Sequence, residues 1–312
     1  MTADTRRALL DALAAGPVHG PAFADERGVS RAAVWKHVDA LREAGFGIES
    51  GPDGYEVTSV PAYGAAAVEY GLDAPYRVEY HERIGSTNDR ARDLAAAGER
   101  DVAVLAGEQT ESRGRLGRAW AAPPGGVYVS LVIRPDVPPA HAPVFTLAAA
   151  VATAEACAAA GVDPVIKWPN DLLVGDDERK LAGVLTEMEG EADRVAWMIV
   201  GVGVNADVDA GALPEGATSL RALVGDVDRR RFVRDLLDGF HDLTGKPETV
   251  LARWRERAAT LGRRVRVETA GGVVEGEAVD VAFPGTLVVR TDDGDVRVHA
   301  GDCEHLRPAD GR

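Results

Sequence analysis

Residues 111–120 read Glu-Ser-Arg-Gly-Arg-Leu-Gly-Arg-Ala-Trp. Glycine lets the backbone adopt positive φ angles and approach a ligand closely. Arginine supplies a permanent positive charge on a planar fork of donors that matches phosphate or carboxylate. A loop that gathers the guanidinium groups of Arg113, Arg115 and Arg118 is therefore suited to surrounding an anion. A solvated face and a contact for nucleic acid are the alternatives that this stretch alone leaves open.

A second informative stretch is Lys-Trp-Pro-Asn-Asp at residues 167–171. The chain has 35 lysine and arginine residues, and lysines are rare among them. Lysine offers a compact point charge that reaches a phosphate oxygen where a broad guanidinium does not fit. Lys167 is therefore a candidate phosphate-binding cation, and the alternative is a lysine that ends a strand.

Short motifs before and after these stretches complete an ordered set. In chain order the motifs are Ser86-Thr87-Asn88, Gln109, Arg113-Gly114-Arg115-Leu116-Gly117-Arg118-Ala119-Trp120, Lys167-Trp168-Pro169-Asn170-Asp171, Arg179-Lys180-Leu181-Ala182-Gly183 and Gly201-Val202-Gly203-Val204-Asn205. With them the chain resembles the biotin protein ligase family, in the form that carries an N-terminal DNA-binding domain and doubles as a biotin-operon repressor. The resemblance implies a central mixed-sheet catalytic domain of the biotin/lipoate ligase type, which is similar to class II synthetases.

Length and charge bound the remaining possibilities. With 312 residues, the chain has room for two or three domains and an ample core. The net charge of −15 predicts an acidic, well-solvated surface and argues against generic nucleic-acid binding. Cys157 and Cys303 lie far apart without a CxxC motif, which argues against a protein metal site and fits a reducing cytoplasm. We expect no signal peptide and no membrane span, and we interpret residues 143–160 as a buried helix.

Residues 1–60 have the pattern of a winged helix-turn-helix. Gly16-Pro17 ends a first helix over residues 4–15, a short helix follows at 21–27, and Ser30 can cap a third over 31–44. Alternation in residues 48–57 around Pro52-Asp53-Gly54 predicts a hairpin wing. The third helix would present Arg31, Lys36 and His37 to DNA, and Trp35 is either a contact in the DNA groove or a core anchor. A protein-interaction module is the alternative, because acidic side chains outnumber basic ones in this unit.

The rest of the chain divides into a linker and two units. Residues 61–75, rich in Pro and Gly, connect the first unit to a central domain over 76–261. Strands in the central domain come in clusters, at 77–80, 102–106, 127–133, 165–167, 181–187 and 195–204, with helices at 87–97, 146–160, 229–243 and 248–260. This distribution favours an α+β fold. Short β runs at 265–268, 273–281, 287–290 and 296–299, separated by glycine turns, predict a small SH3-like barrel over 262–312.

The resemblance implies a reaction in two steps. The carboxylate of biotin attacks the α-phosphate of ATP to form biotinyl-5′-AMP, and a lysine of a biotin carboxyl carrier protein then takes the biotinyl group. No enzyme nucleophile is required, so catalysis depends on position and charge. Lys167 would be the central cation, and Arg115 and its neighbouring arginines would clamp the phosphates and close over the adenylate. Mg²⁺ is expected to enter with ATP.

The resemblance also assigns binding residues. The biotin-binding set is Ser86, Thr87, Asn88, Gln109, Arg113, Gly114, Arg115, Lys167, Gly201 and Gly203. The ATP-binding set is Arg113, Arg115, Arg118, Trp120, Lys180 and Asn205. Alternatives remain for several of these residues: a plain helix cap at Ser86, a loop anchor at Trp120, and a surface lysine at Lys180. Ser112 stands where many family members have glycine, so a positive φ there would cost stability.

Two other functions remain open. One is a ligand-sensing transcription regulator without ligase activity, which explains residues 1–60 but not the basic motifs. The other is a lipoate-type protein ligase, which has a related fold and chemistry. The resemblance further implies operator DNA as a partner and a homodimer.

Overall fold

The computed structural model describes residues 3–191 and 193–306. They form an N-terminal helical unit with a hairpin, a central mixed sheet with helices, and a C-terminal antiparallel sheet. This arrangement confirms the α+β fold class and the order of the three predicted units.

The N-terminal unit is a winged helix-turn-helix. Its elements are α1 (Ala3–Ala15), α2 (Gly20–Arg27), α3 (Arg31–Glu43), β1 (Gly47–Gly51) and β2 (Gly54–Ser59). Gly28 ends α2 with a φ of 63°, and the Ser30 hydroxyl caps α3 by accepting the Ala33 N–H at 3.1 Å. Leucine, valine and phenylalanine side chains from the three helices form a core of their own. The strands β1 and β2 pair antiparallel as the wing.

The structure decides two points about α3. Trp35 is 52% exposed, which excludes the core anchor and leaves the groove contact open. His37 is only 6% exposed, so it faces the core rather than DNA, and burial lowers its pKa. Helical spacing explains both, because His37 shares the inward face of α3 with buried Val34 and Val38.

Residues 61–75 are not a simple linker. They contain the helix α4 (Ala65–Glu69), whose residues from Ala66 onward are buried. Glu69 accepts a bond from Arg6 of α1 at 2.5 Å and one from the Val78 N–H at 2.8 Å. Arg7 also donates to the Tyr76 carbonyl at 3.0 Å. The segment therefore fastens the N-terminal unit to the central domain.

The central sheet has seven strands in the order β3-β4-β5-β9-β8-β7-β6. They are β3 (Arg77–Ile84), β4 (Val102–Gln109), β5 (Val127–Ile133), β6 (Val165–Lys167), β7 (Asp171–Val174), β8 (Arg179–Gly190) and β9 (Val195–Val204). Only β3 and β4 pair in parallel; the other neighbours are antiparallel. The short strand β7 was not predicted, because only a tight turn separates it from β6.

Helices cover both faces of this sheet. They are α5 (Thr87–Ala96), α6 (Pro143–Ala159), α7 (Leu220–Val224), α8 (Arg229–Leu243) and α9 (Pro247–Glu256). Val102 and Val104 of β4 pack with α5, whereas the alternating Ala103 and Leu105 belong to the cluster that contains α6. The window Pro139–Ala159 is apolar and long enough to cross a membrane, but 72% of it is buried. It is packed as a core helix, in agreement with the prediction.

The C-terminal unit is a five-stranded antiparallel sheet in the order β13-β12-β11-β10-β14. Its strands are β10 (Arg264–Thr269), β11 (Gly272–Ala282), β12 (Thr286–Thr291), β13 (Gly294–Val298) and β14 (Asp302–His305). Four of them match the predicted runs. The strand β14 was missed because Asp302, Glu304 and His305 give it little β-strand character in isolation.

Candidate active site

A cleft opens over the middle of β8 and β9, beneath the loop that follows β4. The cleft is lined by Ser86, Thr87, Asn88, Gln109, Ser112, Arg113, Gly114, Arg115, Arg118, Ala119, Trp120, Asn170, Asp171, Lys180, Gly183, Val184, Leu185, Glu187, Gly201, Val202, Gly203 and Asp302. Its volume is about 190 Å³, which is below the ~300 Å³ at the lower end of small-molecule sites. With the loop in this position the cleft is therefore small for such a site.

One end of the cleft consists of neutral polar groups. The Ser86 hydroxyl caps α5 by accepting the Asp89 N–H at 3.3 Å, so the predicted helix cap is present. The next residue, Thr87, donates its N–H to Gln109 Oε1 at 2.7 Å, and its hydroxyl lies 3.0 Å from the same oxygen. Both contacts are made by the Gln109 carbonyl oxygen, so Thr87 does not engage the amide nitrogen.

Asn88 is held on two sides. Its Oδ1 lies 2.6 Å from the buried Ser130 hydroxyl, and its Nδ2 donates to Glu187 at 3.1 Å. A Cβ atom on Gly201 would lie 2.2 Å from Asn88 Oδ1. Gly201 is therefore required for the packing of Asn88 against β9. This contact explains the glycine at position 201 more specifically than general access of a ligand to the backbone.

The arginine loop is a compact, internally bonded structure. The Gly114 N–H donates to the Arg118 carbonyl at 2.7 Å. The residues with positive φ are Leu116 at 56° and Gly117 at 71°. The Ser112 hydroxyl donates to the Trp120 carbonyl at 2.7 Å. Since Ser112 does not have positive φ, serine is accommodated there without backbone strain and helps to close the base of the loop.

Each arginine of this loop already has a partner in the protein. Arg113 donates to Asp89 at 2.7 and 2.8 Å. Arg115 donates to Asn170 Oδ1 at 3.2 Å and to the Gly301 carbonyl at 2.9 Å, and its burial lowers its pKa. Arg118 pairs with Asp302, whose hydrogen bond raises the arginine's pKa. The C-terminal unit therefore contributes directly to the cleft.

Lys180 lies in the cleft beside Trp120. Its ammonium group is 2.8 Å from Asp171 Oδ1 and 5.3 Å from the centre of the Trp120 ring. The ring packs over Gly203, where an added Cβ would come within 3.0 Å of it. The Trp120 Nε1–H is buried and has no hydrogen-bond partner among the described residues. Trp120 therefore anchors the loop and also lines the cleft.

Lys167 does not lie with the other predicted residues. It belongs to β6, the edge strand, and lines a separate depression with Glu178, Arg263 and His305. Lys180 is on β8, which borders β9 and its two glycines. Lys167 is therefore outside the cleft lining, although Asp171, its partner in the β6–β7 ladder, is a cleft residue. Its assignment as the cation between carboxylate and phosphate stays a prediction.

Asn205 is also outside the cleft lining. It follows β9, is 3% exposed, and donates through Nδ2 to the Thr218 carbonyl at 2.9 Å. Its Oδ1 has no partner among the described residues. The side chain therefore has one buried acceptor that is free for another donor.

Four acidic or amide residues of the cleft were not assigned from the sequence. They are Asp89, Asn170, Glu187 and Asp302, which hold the arginines and Asn88 in place. Asp89 follows the Ser86-Thr87-Asn88 motif, and Asn170 is within the Lys-Trp-Pro-Asn-Asp stretch. Their positions in these motifs could have predicted that they lie near the cleft. Nothing in the local sequence links Asp302 to the loop.

Comparisons with known proteins agree with this architecture. The Biotin/lipoate A/B protein ligase family model matches residues 80–205, the biotin protein ligase C terminal domain matches 260–306, and an HTH domain matches 5–56. The bifunctional ligase/repressor BirA of Bacillus subtilis is 33% identical over 305 residues, which cover 92% of this chain and 93% of that protein. This chain belongs to the biotin protein ligase family.

Other relatives share either the whole architecture or most of it. The bifunctional ligase/repressor BirA of Escherichia coli is 30% identical, with 97% of each chain covered. The biotin–[acetyl-CoA-carboxylase] ligase of Mycobacterium tuberculosis is 35% identical over 72% of this chain and 87% of that protein. The solved biotin protein ligase of Aquifex aeolicus, in complex with biotin and ATP, has a TM-score of 0.62 at 24% identity, covering 74% of this chain and 99% of that one. That similarity concerns the fold.

Proposed function

We propose that this protein is an ATP-dependent biotin protein ligase that forms biotinyl-5′-AMP and transfers biotin to a lysine of a biotin carboxyl carrier protein. One observation carries the proposal: a single cleft joins a neutral polar end at Thr87, Asn88 and Gln109 to a cationic end at Lys180 and the arginine loop. A ligand with a neutral ring and an anionic tail matches this polarity. Biotin has a neutral ureido ring at one end and a carboxylate at the other.

In the first step, a carboxylate oxygen of biotin bonds to the α-phosphorus of ATP while the bond to pyrophosphate breaks. Negative charge accumulates on the phosphoryl oxygens between the two reactants. We propose Lys180 in place of Lys167 as the cation for this charge, since it is the lysine that lines the cleft. A preorganised cation in a water-poor site stabilises such charge strongly.

In the second step, the acceptor lysine amine attacks the biotinyl carbonyl carbon. The amide bond forms, the bond to AMP breaks, and the amine loses a proton. Between the steps the mixed anhydride must be protected from water. The arginine loop serves this purpose, because phosphate oxygens can replace Asp89 and Asp302 as partners of Arg113 and Arg118 and so hold the loop over the adenylate.

The remaining ligand contacts follow from free polar groups. Trp120 offers a ring face beside Lys180. Asn205 lies outside the cleft lining, and its Oδ1, which has no partner among the described residues, is the acceptor that we assign to the amino group of adenine. Among the described residues no group of three or more His, Cys, Asp and Glu could hold a metal. Mg²⁺ is bound mainly by substrate phosphates with one or two carboxylates and needs no such group. Asp171, which pairs with Lys180, would hold the ion together with the substrate phosphates, and the ion would supply charge neutralisation.

The N-terminal unit supports a second role as a biotin-responsive repressor in the cytoplasm. The helix α3 presents Arg31 and Lys36 outward, as expected of a recognition helix. We propose a homodimer on operator DNA, since helix-turn-helix repressors read paired half-sites.

The direct test mixes the purified protein with ATP, labelled biotin or labelled lipoate, and a biotin carboxyl carrier domain. Biotin on the carrier lysine is the expected product, and omission of ATP should abolish it. Lipoate transfer in place of biotin would indicate a lipoate-type ligase. If neither label reaches the carrier although biotin binds in calorimetry, the protein is a ligand-sensing regulator.

A further inference from the structure

Most positive charge in the N-terminal unit is used internally. Arg6 pairs with Glu69, Arg7 with Asp11 and backbone carbonyls, and Arg42 with the Ile48 carbonyl. Arg31 and Lys36 are exposed and form no ion pair with any residue in 3–191 or 193–306. The free positive charge is thus concentrated on one short stretch of α3.

Trp35 lies within that stretch. It is 52% exposed, and tryptophan is enriched at interfaces relative to the rest of protein surfaces, whereas lysine and the acidic residues are depleted there. With Pro21, Ala32 and Tyr55 it borders a shallow apolar groove between α2, α3 and the wing strand β2. The exposed ring, the groove and the two free cations therefore form one surface.

We propose that Trp35 is the residue that gives the repressor its DNA sequence preference. Its ring contacts thymine methyl groups in the major groove, and Arg31 and Lys36 contact the flanking phosphates. The inference rests on the DNA-binding part of the proposed function and is independent of the ligase part.

The polarity of α3 favours DNA over a protein partner. Recognition helices contact bases with their N-terminal residues, and this half of α3 contains Arg31, Trp35 and Lys36. The C-terminal half carries Asp39 and Glu43, which phosphate would repel. An apolar side chain against the thymine methyl group is an established form of base readout. With two free cations, phosphate contacts alone would make the logarithm of the binding constant fall with the logarithm of salt concentration with a slope of only about −2 per protomer.

The test begins with the full chain, biotin and ATP, and a duplex DNA library with a randomised core. Affinities for the enriched duplex and for a scrambled duplex are then measured by fluorescence anisotropy. Trp35→Ala should weaken binding to the enriched duplex by about 5- to 100-fold and leave binding to the scrambled duplex within about twofold. Trp35→Phe should recover much of the loss because it keeps an apolar ring.

Base substitution provides an independent readout. Replacing single thymines of the enriched duplex by uracil removes only the methyl group. The native protein should lose affinity at one or more positions, whereas Trp35→Ala should be insensitive there. Lys36→Ala should weaken both duplexes equally, and Val273→Ala, at another exposed apolar side chain, should change neither.

Three results would overturn the inference. They are an absence of any enriched sequence, equal losses on both duplexes for Trp35→Ala, and uracil effects that persist in that variant. Concentration-dependent association that Trp35→Ala abolishes, without any effect on DNA, would assign the surface to a protein contact. Carrier biotinylation by the same preparations reports separately on the ligase function, because Trp35 is in another unit.

Discussion

Lys180 holds its ammonium group between the Asp171 carboxylate and the Trp120 ring. The carboxylate keeps the charged side chain in position before substrates arrive, and the ring limits where it can move. When the phosphates of ATP enter, they offer stronger partners than a single carboxylate. Lys180 can therefore be placed in advance and still be available to the reacting phosphate.

We predict that Lys180→Ala lowers the rate of adenylate formation by about 10²- to 10³-fold, as expected when a preorganised charge is removed. Lys167→Ala should cost much less, because that side chain lies outside the cleft. The measurement is release of pyrophosphate from ATP in the presence of biotin. A larger loss in Lys167→Ala than in Lys180→Ala would support Lys167 as the central cation.

The sequence identified the right kinds of residue more reliably than their positions. Ser86, Gln109 and the arginines lie in the cleft, because short motifs keep their local geometry. The choice between Lys167 and Lys180 depends on strand order, which places β8 beside β9 and β6 at the edge. Adjacent sequence motifs do not contain that information.

The arginine loop is the element that connects the cleft to the C-terminal unit. Arg115 bonds to Asn170 in the turn between β6 and β7 and to the Gly301 carbonyl before β14. One side chain thus spans two units of the fold. Its pKa is lowered by burial, so the closed loop pays a desolvation cost that a phosphate partner can offset.

Arg115→Ala should speed release of biotinyl-5′-AMP by about 10- to 100-fold, the loss expected for hydrogen bonds to a charged group. Affinity for biotin alone should fall less, because the neutral end of the cleft is untouched. Release can be followed by stopped-flow fluorescence and biotin binding by calorimetry. An equal fold-change in adenylate release and in biotin affinity would mean that the loop does not hold the intermediate.

A buried hydrogen-bond chain joins the same region to β14. The Trp168 N–H donates to Thr260 Oγ1 at 2.9 Å, and that hydroxyl lies 3.0 Å from His305 Nε2. Glu178 lies 3.3 Å from His305 Nδ1 and is also paired with Arg263. Burial lowers the pKa of His305 from its ordinary 6.5, although Glu178 opposes the shift.

The lowered pKa of His305 makes the stability of the protein depend on pH in a definite direction. Below about pH 6.5 the unfolded chain takes up a proton at His305 before the folded chain does, so stability falls as pH decreases through this range. His305→Gln should flatten that part of the pH dependence, since glutamine does not titrate. Urea unfolding at a series of pH values measures it. An unchanged slope of stability against pH would show that His305 contributes nothing to it. His37, whose pKa is also lowered by burial, is present in both proteins and so contributes equally to both.

At the scale of the whole molecule, the N-terminal unit is fixed to the ligase domain. Glu69 is 3% exposed and receives bonds from Arg6 and Val78. Asp238 of α8 accepts the Ala74 N–H at 2.7 Å. These contacts hold the DNA-facing helix at a defined position relative to the cleft. Pro and Gly in residues 61–75 suggested a linker because composition does not reveal which partners a short helix will find.

We predict that Glu69→Ala destabilises this junction by about 1–3 kcal/mol, because the Val78 N–H and Arg6 lose their partner. The segment between the two units should then be cut faster by protease at native pH. Asp11→Ala is the matched control, since this exposed partner of Arg7 should cost under about 1 kcal/mol. Equal rates of protease cleavage in Glu69→Ala and Asp11→Ala would show that Glu69 does not hold the two units together.

Formation of biotinyl-5′-AMP in a single turnover tests the ligase function most directly. Excess protein is mixed with labelled ATP and biotin, quenched at intervals, and the labelled adenylate is separated from ATP. We predict rapid, biotin-dependent formation of protein-bound biotinyl-5′-AMP by the native chain, strongly slowed in Lys180→Ala. An absence of adenylate from the native chain, with ATP and biotin both shown to bind, would contradict the assignment of the cleft as a ligase active site.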